Sequence, residues 1–443
     1  MKRVITYGTY DYLHYGHIKL LERAKALGDY LIVGVTSEDF DRKRGKINVQ
    51  QSLTERIENI RKTGLADEII VEEYVGQKID DIKRYDVDIF AIGSDWEGTF
   101  DYLKEYCEVV YLPRTEGISS TQIRCQEKNI LMGVISDDID YFNKYKAEDR
   151  YVNGIEITAI CTSKTIENEK NLIESGISIY KDYDDMLENV NAVYINSSVE
   201  QHYEQIVKAI NMGKHVLCES PICDDKNKCK ELFELAKSKN LILMDAMRTS
   251  CSTAYSRLLL LIKGGEVGNV LSVESTITNM SVLEKTKVAN SFYNWGPQAL
   301  LPILDILGTN YKNYNFYSKF IDNKENEDIF TKLDLVYEKA IASLKVAEGA
   351  KSEGELIITG TKGYIIVPAP WWKTSYFELR YEDMNKNKRY FYQLDGEGIR
   401  YQLLSFAMAI KGKKNANHID EEVSIEMCNL INKFKNRSNM YYL

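Results

Sequence analysis

Two of the five histidines in this 443-residue chain stand three residues apart in YGTYDYLHYGH, residues 7 to 17. A glycine, a threonine, an aspartate and two imidazoles in one short stretch could pack, bind a metal or handle phosphate. Packing alone calls neither for Gly16 beside His17 nor for polar Thr9 and Asp11 after an apolar run. A metal site needs a third protein ligand and groups that orient the imidazoles, and His202, His215 and His418 lie far along the chain. Phosphate chemistry accounts for the most. A helix N-terminus presents unpaired N–H groups and the positive end of a dipole, and His14 and His17 placed there could donate to a developing negative charge. Gly8 and Gly16 would let the backbone approach a nucleotide closely.

Two other stretches have the same character. YLPRTEGISSTQIR, residues 111 to 124, places Arg114 and Thr115 after an apolar run. Ser119, Ser120 and Thr121 follow at a helix start, an anion-binding layout. DRKRGKI, residues 41 to 47, carries Arg44 and Lys46. On its own a basic loop is a solvated face; beside the other two it becomes a clamp for a substrate phosphate.

The elements that must hold these residues are legible from periodicity. RVITYG reads as a strand, HIKLLERAKALG as a helix opened by His17 and closed by Gly28, and YLIVGVT as the next strand. LTERIENIRKT, EIIVEEY, QKIDDIKRY, VDIFAIG, FDYLKEY and EVVYLP continue the alternation. Such repetition predicts a parallel sheet with helices on both faces, its ligand beyond the carboxyl ends of the strands.

Length predicts two or three domains. A formal charge of −9 argues against a general nucleic-acid or membrane binder. The eight cysteines include no C-x-x-C pair, so they read as reduced thiols of a cytoplasmic protein rather than a zinc or disulfide framework. The first residues have no signal-peptide character and no run is long enough to span a bilayer. No metal ligand set is expected.

The stretches GTYDYLHYGHIKLLERAKALGDYLIVGV, IGSDWEG and EVVYLPRTEGISSTQIR together resemble the glycerol-3-phosphate cytidylyltransferases over essentially all of residues 1 to 124. The resemblance implies condensation of CTP with sn-glycerol 3-phosphate, giving CDP-glycerol and pyrophosphate with Mg²⁺, for teichoic-acid-like or capsular polymer synthesis. It implies that His14, His17, Lys46 and Arg114 are catalytic. Gly8, Thr9, Tyr10, Asp11, Gly16, Asp95 and the segment Arg114, Thr115, Gly117, Ile118, Ser119, Ser120 and Thr121 would join the histidines in binding CTP. Arg44, Lys46 and Lys78 would hold the acceptor phosphate. Where the family often reads RYVDE, this chain has TGLADE, residues 63 to 68, so one arginine is missing.

A second strand–helix pattern starts at NILMGVISDD and runs to residue 247, after which period-two strands and the hairpin signal GTKGY predict a mostly antiparallel sheet. The expected boundaries are therefore 1–126, 127–247 and 248–443. The segments QHYEQIVKAINMGKHVLCESP, GELIITGTKGYIIVP and GIRYQLLSFAMAIKGKKN make this half similar to the Gfo/Idh/MocA oxidoreductases. That resemblance implies a Rossmann domain, then an open antiparallel sheet used for homo-oligomerisation. The residues for its chemistry are altered. Ser136 and Asp138 stand where the later glycines of a dinucleotide fingerprint belong. Thr162 falls at the ribose-binding acid, Ser220 at the catalytic lysine, and Asn294 and Gln298 at the proton-relaying pair. NAD(P) binding and hydride transfer are not expected of this half. The open alternatives are an active reductase making the polyol phosphate, or a non-enzymatic ligand-binding or assembly domain.

Overall fold

RVITYG forms strand β1, Arg3–Gly8, with Val4, Ile5 and Thr6 fully buried, as expected for a strand covered on both faces. It lies at the centre of a parallel sheet with β2 (Tyr30–Thr36), β3 (Glu68–Glu72), β4 (Ile89–Gly93) and β5 (Glu108–Leu112), in the order β3-β2-β1-β4-β5. Helices α1 (Tyr15–Lys25) and α2 (Leu53–Thr63) bury Leu21, Ala24 and Ile60 in the apolar layer on one face. Helix α3 (Gln77–Tyr85) places Ile82 in the layer on the other. Ser52 and Glu55 form a capping box that starts α2, and Gly64 ends it in the left-handed conformation at φ 68°. This computed structural model describes the chain except for residues 38–39, 42–48, 50, 75, 114–128, 153, 167–168, 282–289, 322–323, 374, 393 and 413–417. The chain divides into two compact units, Met1–Asn129 and Ile130–Leu443.

Two local expectations in the first unit are corrected. Helix α1 starts at Tyr15 with His14 as its N-cap, so His17 lies within the first turn rather than opening it. The helix also ends at Lys25, before Gly28. Gly28 serves a close approach instead: a Cβ there would lie 2.5 Å from the Lys2 carbonyl oxygen.

The second unit opens with another parallel sheet: β6 (Ile130–Ser136), β7 (Ile155–Cys161), β8 (Ser178–Tyr180), β9 (Ala192–Asn196), β10 (His215–Cys218) and β11 (Leu243–Asp245). Its order, β11-β10-β9-β6-β7-β8, is doubly wound. Among the described residues a nine-stranded sheet follows, with β12 (Val270–Thr278) at its centre. Most of its pairs are antiparallel, including the predicted hairpin Leu356–Gly360 with Tyr364–Val367. The sheet is nevertheless mixed: β12 runs parallel to Ile341–Ala347, and Asn313–Ile321 runs parallel to Met440–Tyr442. The helix Ser291–Leu307 buries Phe292, Leu300, Leu301, Ile303 and Leu304 in the sheet's apolar layer.

Two desolvated carboxyls in this unit, Asp305 half-buried and Asp328 buried, give stability a pH dependence. Asp305 accepts from the Tyr255 hydroxyl at 2.8 Å, and burial pushes its pKa from 3.8 up to about 6, with the Asp420 charge adding and Lys263 opposing. Asp328, which accepts from Phe292 N and Thr331 Oγ1, is raised by burial to about 6 as well. Each folded pKa exceeds the unfolded value, so the folded state binds the proton more tightly. Stability is then lost as pH rises through the interval between the two values, and the deficit is complete above about 6. Asp305→Asn keeps an acceptor for Tyr255 and removes that titration. It should stabilise the unit by about 1–3 kcal/mol at pH 8 and by much less at pH 4. Thermal melts at the two pH values check this; an equal shift at both would contradict it.

Candidate active site

In a parallel sheet all strands end on one edge, and here Gly8 of β1, Thr36 of β2 and Gly93 of β4 end there together. Strand order reverses between β1 and β4, which opens a crevice at that edge. The loop Thr9–His14 enters it from β1, and Asp95 enters from β4 in the exposed turn Ser94–Trp96.

Within that loop, Tyr10 and Tyr12 take positive φ angles of 52° and 47°. Such angles are strained for side chains of this size, at roughly 1–2 kcal/mol each, and such strain concentrates where a loop is held for function. The loop is fastened from below by a buried ion pair. Arg56 of α2, fully buried, donates through Nη1 to the carbonyl of Thr9 (2.8 Å) and of Thr36 (2.9 Å) and approaches Asp41 Oδ2 at 3.4 Å. Its Nε donates to the Gln51 carbonyl at 3.1 Å. Asp41 also accepts from Thr9 Oγ1 at 3.0 Å and Thr36 Oγ1 at 2.8 Å, and Asp11 accepts from Gln51 N at 2.9 Å.

The histidines lie on top of this support. His14 Nδ1 accepts from Gly16 N at 3.1 Å, which places the proton of the neutral ring on Nε2. The His14 and His17 rings stack at 3.9 Å between centroids and 22° between planes, and Tyr10 meets His17 edge-on at 5.5 Å. Both imidazoles therefore sit at the N-terminal end of α1, where the helix dipole favours an anion. The stacking gives a paired donor surface suited to a phosphate group.

Gly8 has a different local cause from the one expected. A Cβ at Gly8 would meet the Tyr10 ring at 2.9 Å, so the glycine makes room for a buried tyrosine. Lys78 is buried and ion-paired to Glu72, the last residue of β3, with its Nζ 4.5 Å from the Tyr7 ring centre. Arg44, Lys46, Arg114, Thr115, Gly117, Ile118, Ser119, Ser120 and Thr121 lie outside the described residues. The geometry thus brings together Gly8, Thr9, Tyr10, Asp11, His14, Gly16 and His17. Missed by sequence reasoning were Arg56 and Asp41. A signal existed for the first: Arg56 occupies an apolar-stripe position between Leu53 and Ile60 on α2.

In the second unit the substituted positions Asp138, Thr162, Asn294 and Gln298 are engaged with neighbours. Asp138 caps the helix Ile139–Asp149, its carboxylate accepting from Tyr141 N at 2.9 Å. Asp137 accepts from Thr162 Oγ1, Ser163 N and Ser163 Oγ at 2.7–2.8 Å, and hydrogen bonds from Ser163 hold its pKa below the usual carboxylate range. Asn294 donates to Glu348 at 3.0 Å, and Gln298 to Thr249 Oγ1 at 3.1 Å. Tyr141, Tyr145 and Tyr194 stack together, with Tyr141 donating to Glu219 at 2.5 Å.

Comparison with known proteins agrees with this division. The Cytidylyltransferase-like family matches residues 5–126, and the oxidoreductase family with an NAD-binding Rossmann fold matches residues 135–246. The glycerol-3-phosphate cytidylyltransferase of Bacillus spizizenii is 56% identical over 124 residues, 28% of this chain and 95% of that protein. Its Staphylococcus aureus counterpart is 52% identical over 126 residues, again 28% of this chain and 93% of that one. A 3-ketoreductase from Actinomadura kijaniata, solved with NADP and TDP-benzene, superposes with a TM-score of 0.61 at 18% identity, covering 71% of this chain and all of that one. At that identity the likeness is one of fold. Among the described residues no helix is long and apolar enough to cross a membrane. With nearly the whole length of such relatives matched at more than half identity, the chain belongs through its first unit to the glycerol-3-phosphate cytidylyltransferase family of nucleotidyltransferases, and it carries an NAD-binding-Rossmann oxidoreductase-family domain behind it.

Proposed function

We propose that the first unit transfers CMP from CTP to sn-glycerol 3-phosphate. The observation that carries this reading is the stacked His14–His17 pair at the start of α1, set in the crevice between β1 and β4. A phosphate oxygen of the acceptor attacks the α-phosphorus of CTP in line, the bond to the β-phosphate oxygen breaks, and pyrophosphate leaves. The protein positions the groups and stabilises charge rather than forming covalent bonds. His14 and His17 donate to the reacting phosphates, while Thr9, Tyr10, Asp11 and Asp95 line the nucleotide. Arg44, Lys46, Arg114 and the segment from Thr115 to Thr121 complete the phosphate cradle. Lys78 reaches the acceptor by exchanging its partner Glu72 for the acceptor phosphate. Asp11 and Asp41 already accept hydrogen bonds from the protein, so Mg²⁺ fits here as an ion held chiefly by the triphosphate. The product, an activated glycerol phosphate, suits synthesis of a glycerol-phosphate surface polymer from the cytoplasmic side.

Pyrophosphate release tests the assignment. Purified protein with Mg²⁺, CTP and sn-glycerol 3-phosphate should turn over, with ATP a much poorer donor. Equal turnover with ATP, or none with any polyol phosphate in a panel, would reject it.

For residues 127–247 and 248–443 we propose two further domains, associating as a homo-oligomer through the mixed sheet and transferring no hydride. Support comes from Asp138, whose carboxylate takes the helix N-terminal position where a dinucleotide pyrophosphate would bind. Asp137 adds a second negative charge bonded to Thr162, the ribose position. Asn294 and Gln298 cannot relay a proton at neutral pH. Calorimetric titration with NADH and NADPH is expected to show no micromolar binding. Binding of either, with oxidation on adding a keto-polyol phosphate, would favour a bifunctional enzyme instead.

A further inference from the structure

Three thiols meet in the core of the second unit, outside the unit that carries the nucleotide site. Cys223 follows β10, Cys229 lies on the helix Lys226–Ser238, and Cys428 lies on the helix Glu421–Lys435. Their Sγ atoms all fall within 4.8 Å of one another, and all three residues are at most 2% exposed. Buried single cysteines are ordinary apolar packing. Three of them converging from segments 200 residues apart, on a point where the sulfurs face each other, are not accounted for by packing alone.

The surroundings are apolar. Val216, Ile222, Leu232 and Phe233 belong to the same apolar layer and keep the cluster dry. Asp245, 3% exposed, ends β11, and its Oδ2 accepts at 2.9 Å from Ser424 Oγ on the helix that carries Cys428. The two segments that bring in the thiols are also clamped at the rim. Lys226 pairs with Glu426 at 3.3 Å, and Asn432 Nδ2 donates to the Asp224 carbonyl at 3.0 Å. The sulfurs are thus held by elements that do not move independently.

The geometry points to a structural site for one thiophilic divalent cation of the Zn²⁺ class, bound by Cys223, Cys229 and Cys428 and bracing the helix Glu421–Lys435 against the loop after β10. Thiolate sets select such cations over Mg²⁺ and Ca²⁺. Binding forms three metal–sulfur bonds and releases three thiol protons to solvent, with no change of oxidation state. Sulfurs bound to one tetrahedral Zn²⁺ at about 2.3 Å lie under 4 Å apart, a small contraction from the spacing here.

The test uses the full-length protein, purified under reducing conditions, stripped of metal and then loaded with Zn²⁺ or Co²⁺. Elemental analysis should find about one Zn²⁺ per chain after excess metal is removed, and Co²⁺ should give thiolate-to-metal charge-transfer absorption. Chelator should lower the melting temperature of the second unit. Cys428→Ser should reduce retained metal about tenfold or more and abolish the response to chelator. If that variant does not fold, the wild-type cobalt spectrum decides by itself. Folded, reduced wild type that retains no zinc and shows no cobalt–thiolate band would overturn the proposal, as would metal retained equally by folded Cys428→Ser.

Discussion

Replacing His17 with alanine is expected to lower kcat for cytidylyl transfer by about 10²–10³-fold, the loss typical when one preorganised donor to transition-state charge is removed. His17 is only half-buried and makes no cap, so the melting temperature of the first unit should hardly change. His14 demands a different substitution because it does two things. Its Nδ1 caps α1 through Gly16 N, and loss of an N-cap costs about 1 kcal/mol. His14→Asn retains a side-chain acceptor for the cap and removes the imidazole. It should therefore show a comparable fall in kcat with most of the stability kept, whereas His14→Ala should lose both. Pyrophosphate-release kinetics and melts on the same preparations separate the effects. If the alanine variants melted early but kept full activity per folded molecule, the stacked pair would be packing and the catalytic assignment would fail.

That two imidazoles belong at a helix start on the ligand edge was readable because the signal is local. HYGH follows an apolar run by a few residues, and α/β alternation sets the edge. Most strands of both parallel sheets were readable for the same reason, as short apolar runs between turn residues, while the three-residue β8, Ser178–Tyr180, was not. What escaped depends on contacts between distant segments. Arg56 reaches Thr9, 47 positions away, and nothing in the spacing of YGTYDYLHYGH shows that its loop is held from beneath. The left-handed Tyr10 and Tyr12 carry no glycine or asparagine signature, because packing and hydrogen bonds impose those angles rather than local preference. The cysteines escaped in the same way. Motif spacing looks for ligands a few residues apart, and Cys428 comes to Cys223 only through the docking of the helix Glu421–Lys435. Parallel pairing inside the nine-stranded sheet was also hidden, since period-two alternation records which face is buried and not the direction of the neighbouring strand.

Replacing Arg56 with methionine should destabilise the first unit by about 3–5 kcal/mol, the usual cost of removing one partner from a buried ion pair. The side chain is fully buried, as is that of Asp41, so no water can take the place of the guanidinium. Methionine fills much of the volume, which limits the cavity contribution, so the loss measures the uncompensated Asp41 charge and the Arg56 hydrogen bonds taken from the carbonyls of Thr9, Thr36 and Gln51. Because Arg56 touches the Thr9 backbone rather than substrate, it is a positioning residue. In the fraction that still folds, the loop bearing Thr9, Tyr10 and Asp11 should loosen, and KM for CTP should rise together with a fall in kcat. The readout specific to this role is hydrogen exchange in Arg3–Gly8 and Tyr30–Thr36, the strand that Thr9 follows and the strand that Thr36 ends, which should lose protection while the second unit keeps it. Asp41→Leu combined with Arg56→Met removes both charges, and it should recover much of the stability but not the activity, since the Thr9 carbonyl still lacks its donor. Full activity in the double variant would mean that Arg56 serves only to neutralise Asp41, and that the loop keeps its shape through other contacts, among them the bonds of Asp11 and Tyr12 N to Gln51.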